Sequence, residues 1–167
     1  TLKGDLIVQS VIEEECTGNG AFDASRRYTA DAVVVTEPSG GEFTNAHVGV
    51  MWFRILVSGR SAHAARATTG VNAISKTVPI IQALEALDAK MNETTHPAFE
   101  GFDHPINLNI GVIKGGDWPS TVPGECELHC RLSYYPGRTV AEIRAEVEGA
   151  IQEVVDNDPW LRDNPPV

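Results

Sequence analysis

Two kinds of hydrophobic pattern divide this chain. In the first forty residues the apolar positions run together. A mostly apolar stretch from Gly4 to Ile12 stops at Glu13-Glu14-Glu15, and Ala32-Val33-Val34-Val35 stops at Thr36-Glu37-Pro38. Continuous apolar runs of strand length predict parallel strands buried on both faces. The proline after Glu37 disfavours helical geometry at the residue before it and ends the second run. A short helix is expected between them, from Gly20 to about Tyr28. Residues 1–41 are therefore expected to form a βαβ fragment of a parallel-type sheet, with Gly40-Gly41 as its boundary.

From about Ala46 the pattern becomes periodic. Val48 to Val57 reads as a strand with apolar residues on both faces. Gly70 to Met91 reads as a helix, with Ile74, Val78, Ile81, Leu84, Leu87 and Met91 spaced by threes and fours. A loop follows from Asn92 to Pro105. Ile106, Leu108, Ile110 and Val112 then alternate with Asn107, Asn109 and Gly111, and Cys126, Leu128, Cys130 and Leu132 alternate with Glu125, Glu127, His129 and Arg131. Alternation of this kind predicts an antiparallel sheet with one wet face. Thr139 and Glu142 form a capping box that opens a second helix, which ends by Asp158-Pro159. Residues 42–167 are thus expected to be an α+β ferredoxin-like lid: an antiparallel sheet with two helices on one face, its last strand missing.

Composition narrows the class. The chain has 167 residues, 42% of them hydrophobic and 22% charged, a balance that suits a folded protein. A formal net charge of -10 disfavours nucleic acid and membranes as partners. Three cysteines without framework spacing suggest reduced thiols in a cytoplasmic protein. No apolar run approaches the ~20 residues that span a bilayer. Both ends look cut: Thr1 opens almost directly on a strand without an initiator Met, and Pro165-Pro166-Val167 supplies no closing element.

The acid triplet carries the candidate chemistry. Ligands of open α/β sheets bind at the carboxyl ends of strands, where Glu13–Glu15 and Glu37 are both expected. Clustered carboxylates repel unless a cation or raised pKa values relieve them. A metal among them would leave a neighbouring carboxylate free to act as general base. An acid run is also an ordinary solvated loop end, and the residues alone leave both readings open.

Taken in order, the segments Ser10 to Ala21, Val35 to Pro38, Gly59 to Ala64, Gly70 to Ile74 and Ser120 to Pro123 resemble those of the zinc-dependent family of acetylornithine deacetylase, succinyl-diaminopimelate desuccinylase, aminoacylase and carboxypeptidase G. Ser10 to Ala21 is similar to its acid-Glu-Glu-x-Gly-Gly-x-Gly segment, with Thr17 in place of one glycine. Val35-Thr36-Glu37-Pro38, the stretch Gly59-Arg60-Ser61-Ala62-His63-Ala64, and Gly70-Val71-Asn72-Ala73-Ile74 match further segments, as do Gly115-Gly116 and Ser120-Thr121-Val122-Pro123. The resemblance implies an amide hydrolase acting on N-acyl amino acids or small peptides. Glu14 would be its general base, Glu15 and Glu37 metal ligands, and His63 an oxyanion donor reaching the partner subunit's site. It implies two zinc ions per complete site, with cobalt as a substitute, and a homodimer formed through the lid. Ser120 and Asn72 would line the substrate site, Ser120 standing where many members carry Asn. Arg131 and Ser133 depart from the family's acid-x-Arg before Pro136-Gly137. The remaining metal ligands lie outside this chain, so an inert dimerisation and substrate-lid module is the alternative.

Other side chains read more plainly. His47 could line a cleft, His96 and His104 are expected to be solvated, and His129 lies on the wet face of its strand. Cys126 and Cys130 share an apolar face and are expected in the core. Trp52 and Trp118 suit either packing or an interface.

Overall fold

A computed structural model describes residues 3–38 and 40–167. The chain divides into two units, Thr1–Phe43 and Thr44–Val167.

The second unit is built on a three-stranded antiparallel sheet. Strands β1 (Gly49–Ser58), β3 (Leu108–Gly115) and β5 (Glu125–Tyr134) lie in the order β1-β5-β3. Cys126, Leu128, Cys130 and Leu132 are all buried, as their alternation predicts, and they meet Ile55 and Val57 of β1. Helices α2 (Ala73–Met91) and α3 (Val140–Asn157) cover this face through Ile80, Leu84, Leu87, Ile143, Val147 and Val155. Each fully buried Leu or Ile contributes roughly 1.5–3 kcal/mol by leaving water. The β-α-β-β-α order matches the expected lid.

Two registers differ from expectation. The buried stripe of α2 runs Ala73, Thr77, Ile80, Leu84, Leu87, while Ile74 and Val78 point outward, 38% and 47% exposed. The small Ala73 and a Thr77 whose hydroxyl is satisfied by the Ala73 carbonyl at 2.9 Å supply the inward face at the start of the helix. In β3 the alternation breaks at Gly111. Ile110 pairs with Cys130 and Val112 with His129, so Gly111 is the extra residue of a bulge. Val112 is thereby turned toward the wet face.

Several contacts close the unit. Asn92 caps α2 and exchanges two hydrogen bonds with the backbone of Ile106, at 3.0 and 3.1 Å. Asp88 accepts from the Leu108 amide at 2.6 Å and contacts His104 at 2.8 Å, so His104 is paired rather than merely solvated. His96, also expected in solvent, is half-buried and stacks on Tyr135 at 5.6 Å between ring centroids. At the C-terminal side α4 (Pro159–Asp163) buries Leu161, and Lys76 pairs with its capping residue Asp158 at 2.5 Å. Val167 then exchanges both backbone hydrogen bonds with Leu56, at 2.8 and 3.0 Å. This is an antiparallel pair on the free edge of β1.

Among its described residues the first unit holds one helix, α1 (Asn19–Arg27), close to the expected Gly20–Tyr28 span. The two predicted strands are not formed among the described residues: Gly4–Ile12 and Ala32–Val35 carry no ladder. Leu6, Val8, Val33 and Val34 are 73–84% exposed. A strand buried on both faces needs neighbouring strands and covering helices, and the described residues of this unit supply neither.

Candidate functional site

In the first unit the acid triplet sits in a turn organised by Glu13. Its backbone lies at φ 61, and its carbonyl oxygen accepts from the amides of Cys16, Thr17 and Gly18 at 2.9–3.2 Å. Its carboxylate accepts from the Thr17 hydroxyl at 2.6 Å and the Asn19 amide at 3.2 Å. Those two donors hold the Glu13 carboxyl below the usual carboxylate range. Thr17, which departs from the family's glycine, therefore has a structural use: it fastens the turn to α1. Glu14 and Glu15 are left exposed beside this fixed point, and Glu37 is exposed after the second apolar run. Among the described residues no three His, Cys, Asp or Glu side chains gather to hold a metal ion. Two carboxylate ligands fall short of the four donors that zinc takes, so these residues alone do not make a zinc site.

In the second unit His63, Ser120 and Asn72 belong to one backbone cluster. Strand β2 (Ala62–His63) pairs with β4 (Thr121–Val122), placing His63 opposite Thr121. The Ala64 amide donates to the Ser120 carbonyl at 2.8 Å, and the Ala73 amide to the Pro123 carbonyl at 3.0 Å. Arg60 and Val71 bridge the base of the loop that carries His63, with bonds of 2.8 and 2.9 Å. Close approach there depends on glycine: a Cβ at Gly59 would lie 2.3 Å from the Val71 carbonyl oxygen, and one at Gly70 would lie 2.8 Å from the Arg60 carbonyl oxygen. Asn72 caps α2, its side-chain oxygen accepting from the Ser75 amide at 3.1 Å. His63 itself is exposed, and its Nδ1 accepts from the Ala65 amide at 3.1 Å, capping a 3₁₀ turn over Ala64–Thr69.

Sequence reasoning passed over Arg60 as a structural residue. Its Nε donates to the Thr69 carbonyl at 3.0 Å, and its guanidinium stacks over Trp160 at 5.4 Å from the ring centroid. Trp160 in turn donates from its indole to the Ser58 carbonyl at 2.8 Å. The contact joins residues a hundred positions apart, and nothing in local spacing announces it. Cys126 and Cys130 are core residues as expected, and burial pushes the Cys130 thiol up to about 11, away from any nucleophilic use. His129 lies on the wet face within 3.1 Å of Glu127, which also contacts Arg54 at 3.2 Å. His47 is exposed, its Nδ1 3.4 Å from the Val48 carbonyl. No helix among the described residues is long and apolar enough to cross a membrane.

The chain is 34% identical to an N-formyl-4-amino-5-aminomethyl-2-methylpyrimidine deformylase of Halalkalibacterium halodurans over 177 residues, covering 99% of this chain and 41% of that enzyme. It is 31% identical to an acetylornithine deacetylase of Klebsiella pneumoniae over 162 residues, 95% of this chain and 42% of the relative. The chain thus spans about two fifths of the length of these relatives. A hydantoinase/carbamoylase family amidase from Burkholderia ambifaria superposes with a TM-score of 0.54 at 16% identity, over 67% of this chain and 25% of that one, a likeness of fold. The M20 peptidase dimerisation domain matches residues 45–159, covering the sheet, α2, α3 and the His63 cluster. Through that match the chain belongs to the M20 peptidase dimerisation-domain family.

Proposed function

We propose that the protein containing this chain is a metal-dependent amidohydrolase that removes a short acyl group from an amine nitrogen. One observation carries the reading. Two relatives whose names describe removal of a formyl or an acetyl group match this chain over 99% and 95% of its length, so the likeness runs through the acid segment as well as the lid. Residues 1–41 would then be part of the catalytic domain and 42–167 the lid. Glu14, exposed beside the fixed Glu13 turn, would take the proton of the attacking water and return it to the leaving amine. His63 would donate to the oxygen on which charge develops, a role worth ~3–4 kcal/mol in other enzymes. Ser120 and Asn72 would border the acyl substrate, Asn72 through the amide group left free by its capping oxygen. Glu15 and Glu37 would contribute oxygen ligands to zinc, or to cobalt in its place, in a site completed by ligands from elsewhere. The lid would pair two copies in a cytoplasmic homodimer.

An inert dimerisation and lid module is the second reading, favoured by the lack of any three-ligand group among the described residues. The two readings separate in the full-length protein supplied with zinc. Release of formate or acetate from a panel of N-acyl amines is expected, with Glu14→Gln lowering kcat at least ~100-fold while the dimer persists in sedimentation. A folded, metal-loaded dimer that releases no acid from any of them would establish the inert module instead.

A further inference from the structure

We infer that the backbone amide of Ala65 holds His63 as its Nε2–H tautomer, which makes the exposed end of the ring a hydrogen-bond donor to oxygen and not a metal ligand. The loop geometry carries this. The Ala65 N–H points at Nδ1 from 3.1 Å, and a ring nitrogen that accepts a hydrogen bond carries no proton. The single proton of the ring therefore sits on Nε2. A histidine prepared for metal does the reverse: it donates from one nitrogen to a carbonyl or carboxylate and keeps the other lone pair for the cation. At His63 the inner nitrogen meets a donor, so the outer one carries hydrogen.

The surrounding backbone keeps this arrangement from relaxing. His63 is paired with Thr121, the next amide is tied to the Ser120 carbonyl at 2.8 Å, and the loop base is clamped between Arg60 and Val71. The backbone is thus held at His63 and at Ala64, directly before the amide that meets the ring. His96 repeats the device, its Nδ1 accepting from the Ala98 amide at 3.1 Å at the start of another 3₁₀ turn, but its ring is stacked on Tyr135. The ring of His63 is exposed instead, so its donor is available to a bound molecule. The group it suits is a carbonyl or anionic oxygen. Ala65 is accordingly a positioning residue, acting through the ring it orients.

Use of this donor in the reaction rests on the amidohydrolase reading above; the tautomer does not. Long-range proton–nitrogen correlation spectra of the ¹⁵N-histidine-labelled chain at mildly alkaline pH test it directly. His63 is expected to show an unprotonated Nδ1 and a protonated Nε2. A protonated Nδ1, or an even mixture of tautomers, overturns the inference whether or not the enzyme is active. Ala65→Pro deletes the amide. If that variant keeps the remaining amide spectrum, His63 is expected to become a tautomer mixture, and kcat of the full-length variant to fall by up to about twofold with KM unchanged, in proportion to the fraction of competent rings lost. A wild-type protein that shows the Nε2–H form but hydrolyses nothing would sink the amidohydrolase reading and leave the tautomer standing.

Discussion

Single residues in this chain do work that their type alone does not reveal. Gly59 is one. The Val71 carbonyl oxygen occupies the space where its Cβ would stand, 2.3 Å away, so Gly59→Ala must push apart the base of the His63 loop. A loss of ~1–3 kcal/mol is expected from such overpacking, read as a lower denaturant midpoint with unchanged slope. An unmoved midpoint would mean that the loop base is slack. Thr17 makes a related point. By family pattern it is a defect, a glycine replaced, yet its hydroxyl donates to Glu13 at 2.6 Å. That Glu13, Glu14 and Glu15 follow one another is read directly from the sequence. That Glu13 would be spent on its own turn while Glu14 and Glu15 stay exposed is not, because a positive φ at a glutamate leaves no periodic trace.

Among the elements, α3 was the most legible, because its start is encoded within four residues. Thr139 and Glu142 form the reciprocal capping box: the Thr139 amide and hydroxyl donate to the Glu142 carboxylate at 2.7 and 2.9 Å, and the Glu142 amide donates to the Thr139 hydroxyl at 3.3 Å. Thr139→Ala is expected to cost ~1 kcal/mol at neutral pH, measured by urea titration. The Thr139 backbone bond, followed by its hydroxyl bond, holds the Glu142 carboxyl below its ordinary range. A carboxyl lowered on folding stabilises fully above the ordinary glutamate value, about 4.3, and that stability is lost as pH falls through the lowered folded value. The gap between wild type and Thr139→Ala should therefore narrow in acid; a gap that stays constant would show that the hydroxyl bond to the carboxylate contributes nothing. Elements whose form depends on distant partners were harder to read. The outward Ile74 and Val78 and the bulge at Gly111 answer to the sheet beneath them and not to their own spacing.

Across the whole molecule, the two units differ in what covers their apolar surface. The second buries sixteen hydrophobic residues in and around its sheet, whereas Leu6, Val8, Val33 and Val34 of the first lie 73–84% exposed. Segments with few buried contacts open at low free energy. Limited proteolysis of the chain is expected to cut first within residues 1–43 and to leave a resistant product that begins near Thr44, identified by mass spectrometry. Even digestion of both units would contradict this. The failure of the two strand expectations has the same origin: the apolar composition of the runs at 4–12 and 32–35 predicts burial, but burial is a property of neighbours, and these residues lie exposed.

The exchange between Val167 and Leu56 fixes more than its own two bonds. Since the bonding side of a strand alternates, the backbone groups next offered along that rim belong to Arg54, Trp52 and Val50. Val167 is thus the first tooth of a zipper. Any extended segment that pairs there in the same antiparallel sense takes its frame from this bond pair, and a slip of one residue would turn its inward side chains to water. The same rim, when bare, is a template for any extended chain that meets it. Correct closure and unwanted stacking of copies are therefore competitors for the same few amides and carbonyls.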